Sequence, residues 1–204
     1  MLKEDYKFTI LRADNTDLNV RMQISEIFAE GFTQWLGYFS KDKSIIAKAL
    51  SHMFVLEQFY VAIVNDKVAG MTACTDGKTL SVRLNKKELR KHLGFFKGSM
   101  AGFFLKKEFE VLYENISPNT GSIEFVGTAY EIRGQGVASQ LIQYVFENTP
   151  YNNYVIGEVA DTNTSALKLY KKLGFEEYKR KALSAGKAKK IGINNLVSLK
   201  YKRK

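Results

Sequence analysis

A strand-to-helix turn carrying two glycines constrains this chain more than any other feature. Ser122-Ile123-Glu124-Phe125-Val126-Gly127-Thr128 is rich in β-branched and aromatic residues and follows Gly121, which reads as a strand. Val137, Leu141, Ile142, Val145 and Phe146 then recur at helical spacing, and Pro150 marks a stop. Between the two lies Arg133-Gly134-Gln135-Gly136-Val137-Ala138. The first turn of a helix carries N–H groups with no helical partner and the positive end of its dipole. A pyrophosphate fits there when no side chain blocks the backbone. Gly134 and Gly136 leave the backbone accessible, Ala138 is small, and Arg133 adds a fixed positive charge. Two better-known phosphate motifs are excluded. The Walker-type loop is absent, and Ser139 stands where the dinucleotide fingerprint needs a third Gly or Ala. Glycine also occurs in such turns for conformational reasons alone, so the turn gains meaning only with a second stretch.

That stretch follows at once. Tyr154-Val155-Ile156-Gly157-Glu158-Val159 reads as a short buried strand, and Asp161 to Thr164 supplies N-cap chemistry for a new helix. Ala166, Leu167, Tyr170 and Leu173 form its apolar face, and Gly174 ends it as a left-handed C-cap. Taken alone, Tyr170 reads as a core aromatic.

Together, Arg133–Ala138 and Asn163-Thr164-Ser165-Ala166-Leu167-Lys168-Leu169-Tyr170-Lys171-Lys172-Leu173-Gly174-Phe175 resemble the acyl-CoA site of the GNAT superfamily of N-acetyltransferases. In that superfamily Arg-x-x-Gly-x-Gly/Ala is followed by Asn-x-x-Ala-x-x-x-Tyr-x-x-x-Gly-Phe, and this chain has every element of both. The resemblance implies an α/β fold around a mixed, mostly antiparallel sheet with splayed central strands and helices on both faces. It implies acetyl-CoA as co-substrate and an amine acceptor. The turn matching Arg133, Gly134, Gln135, Gly136, Val137 and Ala138 would hold the pyrophosphate through backbone N–H groups. Val126 and Thr128 would pair their backbone with the pantetheine arm, and Asn163 would hydrogen-bond that arm. Tyr170 would lie near the thioester sulfur and protonate the leaving thiolate.

The chemistry asks for little else. An amine attacks the thioester directly, so proximity supplies much of the rate and a backbone N–H can polarise the carbonyl. A base must take a proton from the ammonium. Glu124 is the first candidate, on the location common for the base in the family; Glu158 on the next strand is its rival, and water-mediated deprotonation is a third route. Strand alternation alone does not decide between the two carboxylates. His52 and His92 read as structural, and Cys74, in a strand-like region, as a buried small side chain. No metal is expected.

The remainder reads as one domain over 1–204, with enough apolar sequence (45%) for a full core. A lone cysteine fits a reducing compartment. Met1-Leu2-Lys3-Glu4-Asp5 has no signal-peptide pattern, and no stretch is long and apolar enough for a membrane span. The cytoplasm is therefore expected, with no membrane partner.

Tyr6–Arg12 reads as a first strand. Asp14 or Asp17 would cap a helix through Val20, Ile24, Ile27, Phe28, Phe32 and Trp35. Ser40 would start another through Ile45, Ile46, Ala49, Leu50, Met53 and Phe54. Phe59–Val64 and Val68–Cys74 form a hairpin about Asn65-Asp66-Lys67, and C-terminal strands fall at about Phe175–Leu183 and Ile193–Tyr201.

Two features stand apart. An extra helical insert spans about 85–114, where Asn85 and Glu88 supply a cap and a first-turn acid. Leu89, Leu93, Phe96, Met100 and Phe103 recur at three- and four-residue steps, while Gly94, Gly98 and Gly102 either break the segment or allow a close helix approach. The insert reads as an extra core helix, a wall of the acceptor site or a homodimer surface.

The other feature is charge. The formal net charge is +10 and the pI about 9.5. From Lys179 to Lys204 the chain has no acid. Such a surface attracts polyanions, so a basic nucleic-acid- or ribosome-binding module with the same fold is the alternative. No helix-turn-helix, RNA-recognition or zinc pattern supports it, and nucleic acid is not the expected partner.

Overall fold

A computed structural model describes residues 7–113 and 116–203. Met1 to Tyr6, Glu114 and Lys204 of the sequence reading lie outside the described residues, as do the side chains of Trp35 and Lys190. The strands are β1 (Thr9–Arg12), β2 (Phe59–Val64), β3 (Lys67–Thr75), β4 (Thr120–Thr128), β5 (Asn153–Ala160), β6 (Glu176–Ala182) and β7 (Asn195–Lys202). The helices are α1 (Val20–Gly31), α2 (Thr33–Leu36), α3 (Lys43–Leu50), α4 (Lys86–Leu93), α5 (Phe95–Phe109), α6 (Val137–Asn148), α7 (Thr164–Lys172) and α8 (Ala185–Ile191). The strands form one sheet in the order β1-β2-β3-β4-β5-β7-β6. Every neighbouring pair is antiparallel except the central β4–β5 pair. The mixed, mostly antiparallel sheet expected from the resemblance is the one observed.

Local chemistry explains most boundaries. Asn65 and Asp66 both have positive φ (48° and 56°), the requirement of a tight two-residue hairpin turn that matches strand twist. Two expected caps move. Neither Asp14 nor Asp17 caps α1: the N-cap position is Asn19, without a side-chain cap, and Asp14 pairs with Arg12 at 2.6 Å. Asp42, not Ser40, caps α3, accepting from the Ser44 N–H at 2.8 Å. Ser40 sits two residues earlier and accepts from the Asp42 N–H. Between the two C-terminal strands lies α8, which the sequence reading did not anticipate.

Helices cover both faces of the sheet. On one face α1 and α3–α5 bury Ile24, Phe28, Leu50 and Leu89 against Phe59, Val61 and Met71. On the other, α6 sets Val137 and Leu141 against Ala62 and Ala69, while Tyr154, Tyr170, Phe175 and Leu199 pack around α7.

The insert forms a helical hairpin. Gly94 (φ 78°) ends α4 and opens α5. A Cβ at Gly98 would strike the Arg90 backbone, so this glycine sets the close packing of the two helices. The face carrying Phe96, Met100 and Phe103 is not the buried one: α5 buries Gly98, Ala101, Leu105 and Phe109 instead. The apolar periodicity of α4 therefore does not continue through the break.

β4 and β5 pair only where Thr120, Gly121 and Ser122 meet Asn153, Tyr154 and Val155. Beyond that point no ladder joins them. Each departs through an irregularity against its other neighbour, between Met71 and Ala73 for β4 and between Ile156 and Val159 for β5. Each also carries a non-glycine residue at φ 53°, Phe125 and Glu158 respectively. A bulge bends and twists its strand, and paired bulges on adjacent strands open the sheet.

Candidate active site

The parting strands line a cavity of about 1140 Å³ from 123 to 128 on β4 and from 156 to 160 on β5. Arg133, Gly134 and Ala138 of the glycine turn line the same cavity, as do Asn163 and Tyr170 of α7. The two stretches singled out in the sequence thus converge. The rest of the lining comes from the end of α1, the end of α5 and the β6–α8–β7 region, including Glu30, Phe32, Phe109, Tyr178 and Ile191.

The turn is built as its composition requires. Gly134 and Gly136 sit at φ 81° and 83°, with Gly136 the left-handed N-cap of α6. No side chain caps that helix. Among the described residues the N–H groups of Gly134, Gly136, Val137, Ala138 and Ser139 have no backbone acceptor. They form a cluster of unpaired donors at a positive dipole end. The Gln135 N–H is committed to the Ile132 carbonyl at 3.3 Å. The Val137 side chain is in the core, so only its backbone is available. Gln135, Gly136 and Val137 do not line the cavity, whereas Arg133 does, its guanidinium over the Tyr130 ring at 5.0 Å.

On α7, Asn163 is the N-cap. Its Oδ1 accepts from the Ala166 N–H at 3.2 Å and the Ser165 hydroxyl at 3.1 Å. Its Nδ2 has no protein acceptor among the described residues. Tyr170 is buried within the core around α7 and lines the cavity. Its hydroxyl makes no hydrogen bond among the described residues, and burial drives its pKa far upward. A buried tyrosine hydroxyl ordinarily finds a partner, so one aimed into a cavity marks a place for a ligand.

Glu124 also lines the cavity. Its carboxylate accepts from the Ser81 hydroxyl at 2.5 Å and the Thr75 hydroxyl at 3.1 Å. Burial raises its pKa, and the hydroxyls of Ser81, Ser122 and Thr75 oppose the rise. Ser122 is close enough to be felt but makes no well-formed hydrogen bond. Glu158 lines the cavity too, but its side chain is largely exposed and pairs with Lys181 at 3.3 Å.

Residues 23–175 match the sequence profile of the Acetyltransferase (GNAT) family. The chain belongs to the GNAT acetyltransferase family. Solved structures agree on the fold. An N-acetyltransferase from Staphylococcus aureus Mu50 is 20% identical, with 95% of this chain and 100% of that chain covered and a TM-score of 0.60. The NatC complex bound to Gag peptide and CoA contains a chain 14% identical, covering 97% and 99%, with a TM-score of 0.57. The ribosomal-protein-S18-alanine N-acetyltransferase of Escherichia coli is 13% identical, covering 96% and 94%, with a TM-score of 0.52. A sequence comparison with curated proteins gives no match.

Within this GNAT framework several residues of the cavity escaped the sequence reading, Tyr113 foremost among them. Tyr113, on the segment after α5, donates its backbone N–H to the Gly77 carbonyl at 2.8 Å. Its side chain reaches between β4 and β5, where its hydroxyl fills the space a Cβ at Gly157 would need. Burial pushes its phenol pKa upward, and the charges of Glu124 and Glu158 add to the rise. The available signal was the unpaired Gly157 in an otherwise bulky strand, a mark of close approach.

The remaining candidates sit elsewhere in the acetyltransferase. His52 accepts from the Asn85 N–H at 2.8 Å, and burial lowers its pKa. His92 lies on α4, and neither histidine lines the cavity. Cys74 is buried in β3, its thiol pushed up to about 12 by desolvation. No group of three or more His, Cys, Asp or Glu among the described residues could hold a metal. No helix among them is long and apolar enough to cross a membrane.

Proposed function

We propose that this GNAT acetyltransferase is an N-acetyltransferase of a single domain, 1–204, acting in the cytoplasm. It transfers the acetyl group of acetyl-CoA to a primary amine of a small molecule or peptide by direct attack in a ternary complex. The observation that carries the reading is the convergence on one cavity of the glycine turn, through Gly134 and Ala138 with their unpaired amides, and of buried Tyr170, whose hydroxyl has no partner among the described residues. The free amides of Gly134, of Gly136 and of the first turn of α6 bind the pyrophosphate, with Arg133 as counter-charge. The edges of β4 at Val126 and Thr128 take the pantetheine amides, and Asn163 Nδ2 donates to the same arm.

The acceptor enters from the part of the cavity lined by Phe32, Phe109 and Tyr178. Glu124 takes its proton. A raised pKa suits that task, because a base works best when its pKa approaches the operating pH. Tyr170 remains protonated at every working pH and gives its proton to the departing thiolate. Glu158, exposed and paired with Lys181, is left as surface.

A thermal-shift titration with acetyl-CoA, CoA, ATP and a short oligonucleotide tests the assignment. A ligand at about 100 times its dissociation constant adds roughly 2.7 kcal/mol of stability. Shifts with acetyl-CoA and CoA alone support the transferase. A shift with the oligonucleotide alone supports the basic-module alternative, whose surface would be the exposed β6 with Lys179, Arg180 and Lys181.

A further inference from the structure

The α4–α5 hairpin carries a surface that the acetyltransferase reaction does not use. On α5, Phe95, Phe96, Phe103 and Phe104 are 64%, 85%, 70% and 51% exposed. Phe96 and Phe103 lie on the side away from buried Ala101 and Leu105, with Met100, partly buried against the core, between them at four- and three-residue steps. Single exposed apolar residues are ordinary, but a contiguous aromatic stripe marks an interaction site.

Charge indicates what covers it. Over Lys86–Phe109 the hairpin has Lys86, Lys87, Arg90, Lys91, Lys97, Lys106 and Lys107 against two carboxylates, Glu88 and Glu108, with Glu110 just beyond its end. Lys91 and Lys106 are about two-thirds exposed. Arg90 lies over the Phe95 ring at 4.4 Å, so cation and aromatic are interleaved rather than segregated. A second copy of this chain would set the same cationic rim against itself. A convex helix with no facing groove offers bases no flat platform on which to stack. Phenylalanines projecting from a lysine-rich helical surface match the composition of helices that lie in the interface of an anionic bilayer. There the rings enter the headgroup–acyl boundary, and each nearby Lys or Arg gains from the negative surface potential.

We infer that α5 docks this protein on an anionic lipid surface, with Phe96 and Phe103 as the inserted side chains and the hairpin lysines as the electrostatic contact. This proposal departs from the expectation of no membrane partner: no helix among the described residues is long and apolar enough to cross a bilayer, but α5 would lie on its surface.

Co-sedimentation of the full chain with vesicles tests this. The chain should pellet with phosphatidylcholine–phosphatidylglycerol vesicles and stay in the supernatant with phosphatidylcholine alone. F96S/F103S should lower vesicle affinity about tenfold or more while its thermal-shift response to CoA stays at the wild-type level, which separates a lost surface from a lost fold. K97E/K107E should weaken binding with a reduced salt dependence. Absence of pelleting, or pelleting unchanged in F96S/F103S, overturns the inference. So does a concentration-dependent dimer that F96S/F103S dissolves, which assigns the stripe to a second copy. Release from vesicles by a short oligonucleotide that binds wild type and not F96S/F103S assigns it to nucleic acid and also overturns it.

Discussion

The Tyr113 hydroxyl occupies the space in which a side chain at Gly157 would stand. Gly157 lies on β5 between Ile156 and the left-handed Glu158, where β5 leaves β4. The segment after α5 uses that opening to insert a phenol beside Glu124 and Ser122. Gly157→Ala should therefore cost about 1–3 kcal/mol through overpacking. The clash is chiefly with Oη, so Tyr113→Phe in the same chain should recover part of the loss. Chemical denaturation of both singles and the double variant gives the coupling; strictly additive changes would show that the two residues do not compete for one space.

Glu124 connects pH to both activity and stability. Burial lifts its folded-state pKa above the ordinary 4.5, so the folded state holds this proton more tightly than the unfolded chain. Its stabilising contribution is complete below the unfolded pKa and is lost as pH rises through the folded pKa. Glu124→Gln should match wild type in stability at acid pH and exceed it above the folded pKa. As the base, Glu124 should give kcat/KM an acid limb centred above 4.5, and the Gln variant should lose both that limb and about 100-fold or more in rate. Retention of the limb in the variant would move the base elsewhere.

Among the described residues the Tyr170 hydroxyl has no hydrogen bond to lose. Tyr170→Phe should leave stability within about 0.5 kcal/mol of wild type and CoA affinity within about threefold. Turnover should fall about 10- to 100-fold. Pre-steady-state measurement of CoA release resolves the step, and unchanged turnover removes the acid role.

The glycine turn separates charge from conformation. A Cβ at Gly136 would make only an ordinary contact, with Gln140 Nε2 at 3.8 Å, but the residue has a φ of 83°. Gly136→Ala should lower stability by about 1 kcal/mol through the left-handed backbone with a small effect on CoA. Gly136→Asp adds a negative charge among the unpaired amides and should weaken CoA binding about tenfold or more. Calorimetric titration distinguishes them; equal affinities would remove the pyrophosphate assignment.

Glu158 provides the control. Its ion pair with Lys181 is exposed and contributes little. Its backbone sits at φ 53°. Glu158→Gly should relieve about 1 kcal/mol of left-handed strain, offset in part by the chain entropy that glycine adds to the unfolded state, and turnover should remain near wild type. A collapse in turnover to the level of Glu124→Gln would make Glu158 the base.

The features legible in the sequence are those set by near neighbours. Asn65-Asp66 could form only a tight hairpin, Gly134 and Gly136 opened a helix start, and Asn163 and Gly174 bracketed α7, because caps and positive-φ turns depend on residues within a few positions. The family motif rests on the same local chemistry. Where two neighbours offered similar chemistry, as with Ser40 and Asp42 before α3, local reading chose the wrong one.

Tertiary structure decided what depends on distant partners. That Phe125 and Glu158 would take left-handed backbone and part the sheet follows from pairing with β3 and β7, not from their own preferences. Glu124 is a perturbed carboxylate because the fold buries it, the hydroxyls of Ser81 and Thr75 partly opposing the shift, and Tyr113 enters the cavity because Gly77 anchors its backbone. The stripe of Phe96, Met100 and Phe103 has the period of a buried helix face. Only the break at Gly94 and the packing of Gly98 on Arg90 turned Phe96 and Phe103 to solvent, while Met100 stays packed against the core, since periodicity fixes which residues share a face and not which way that face looks.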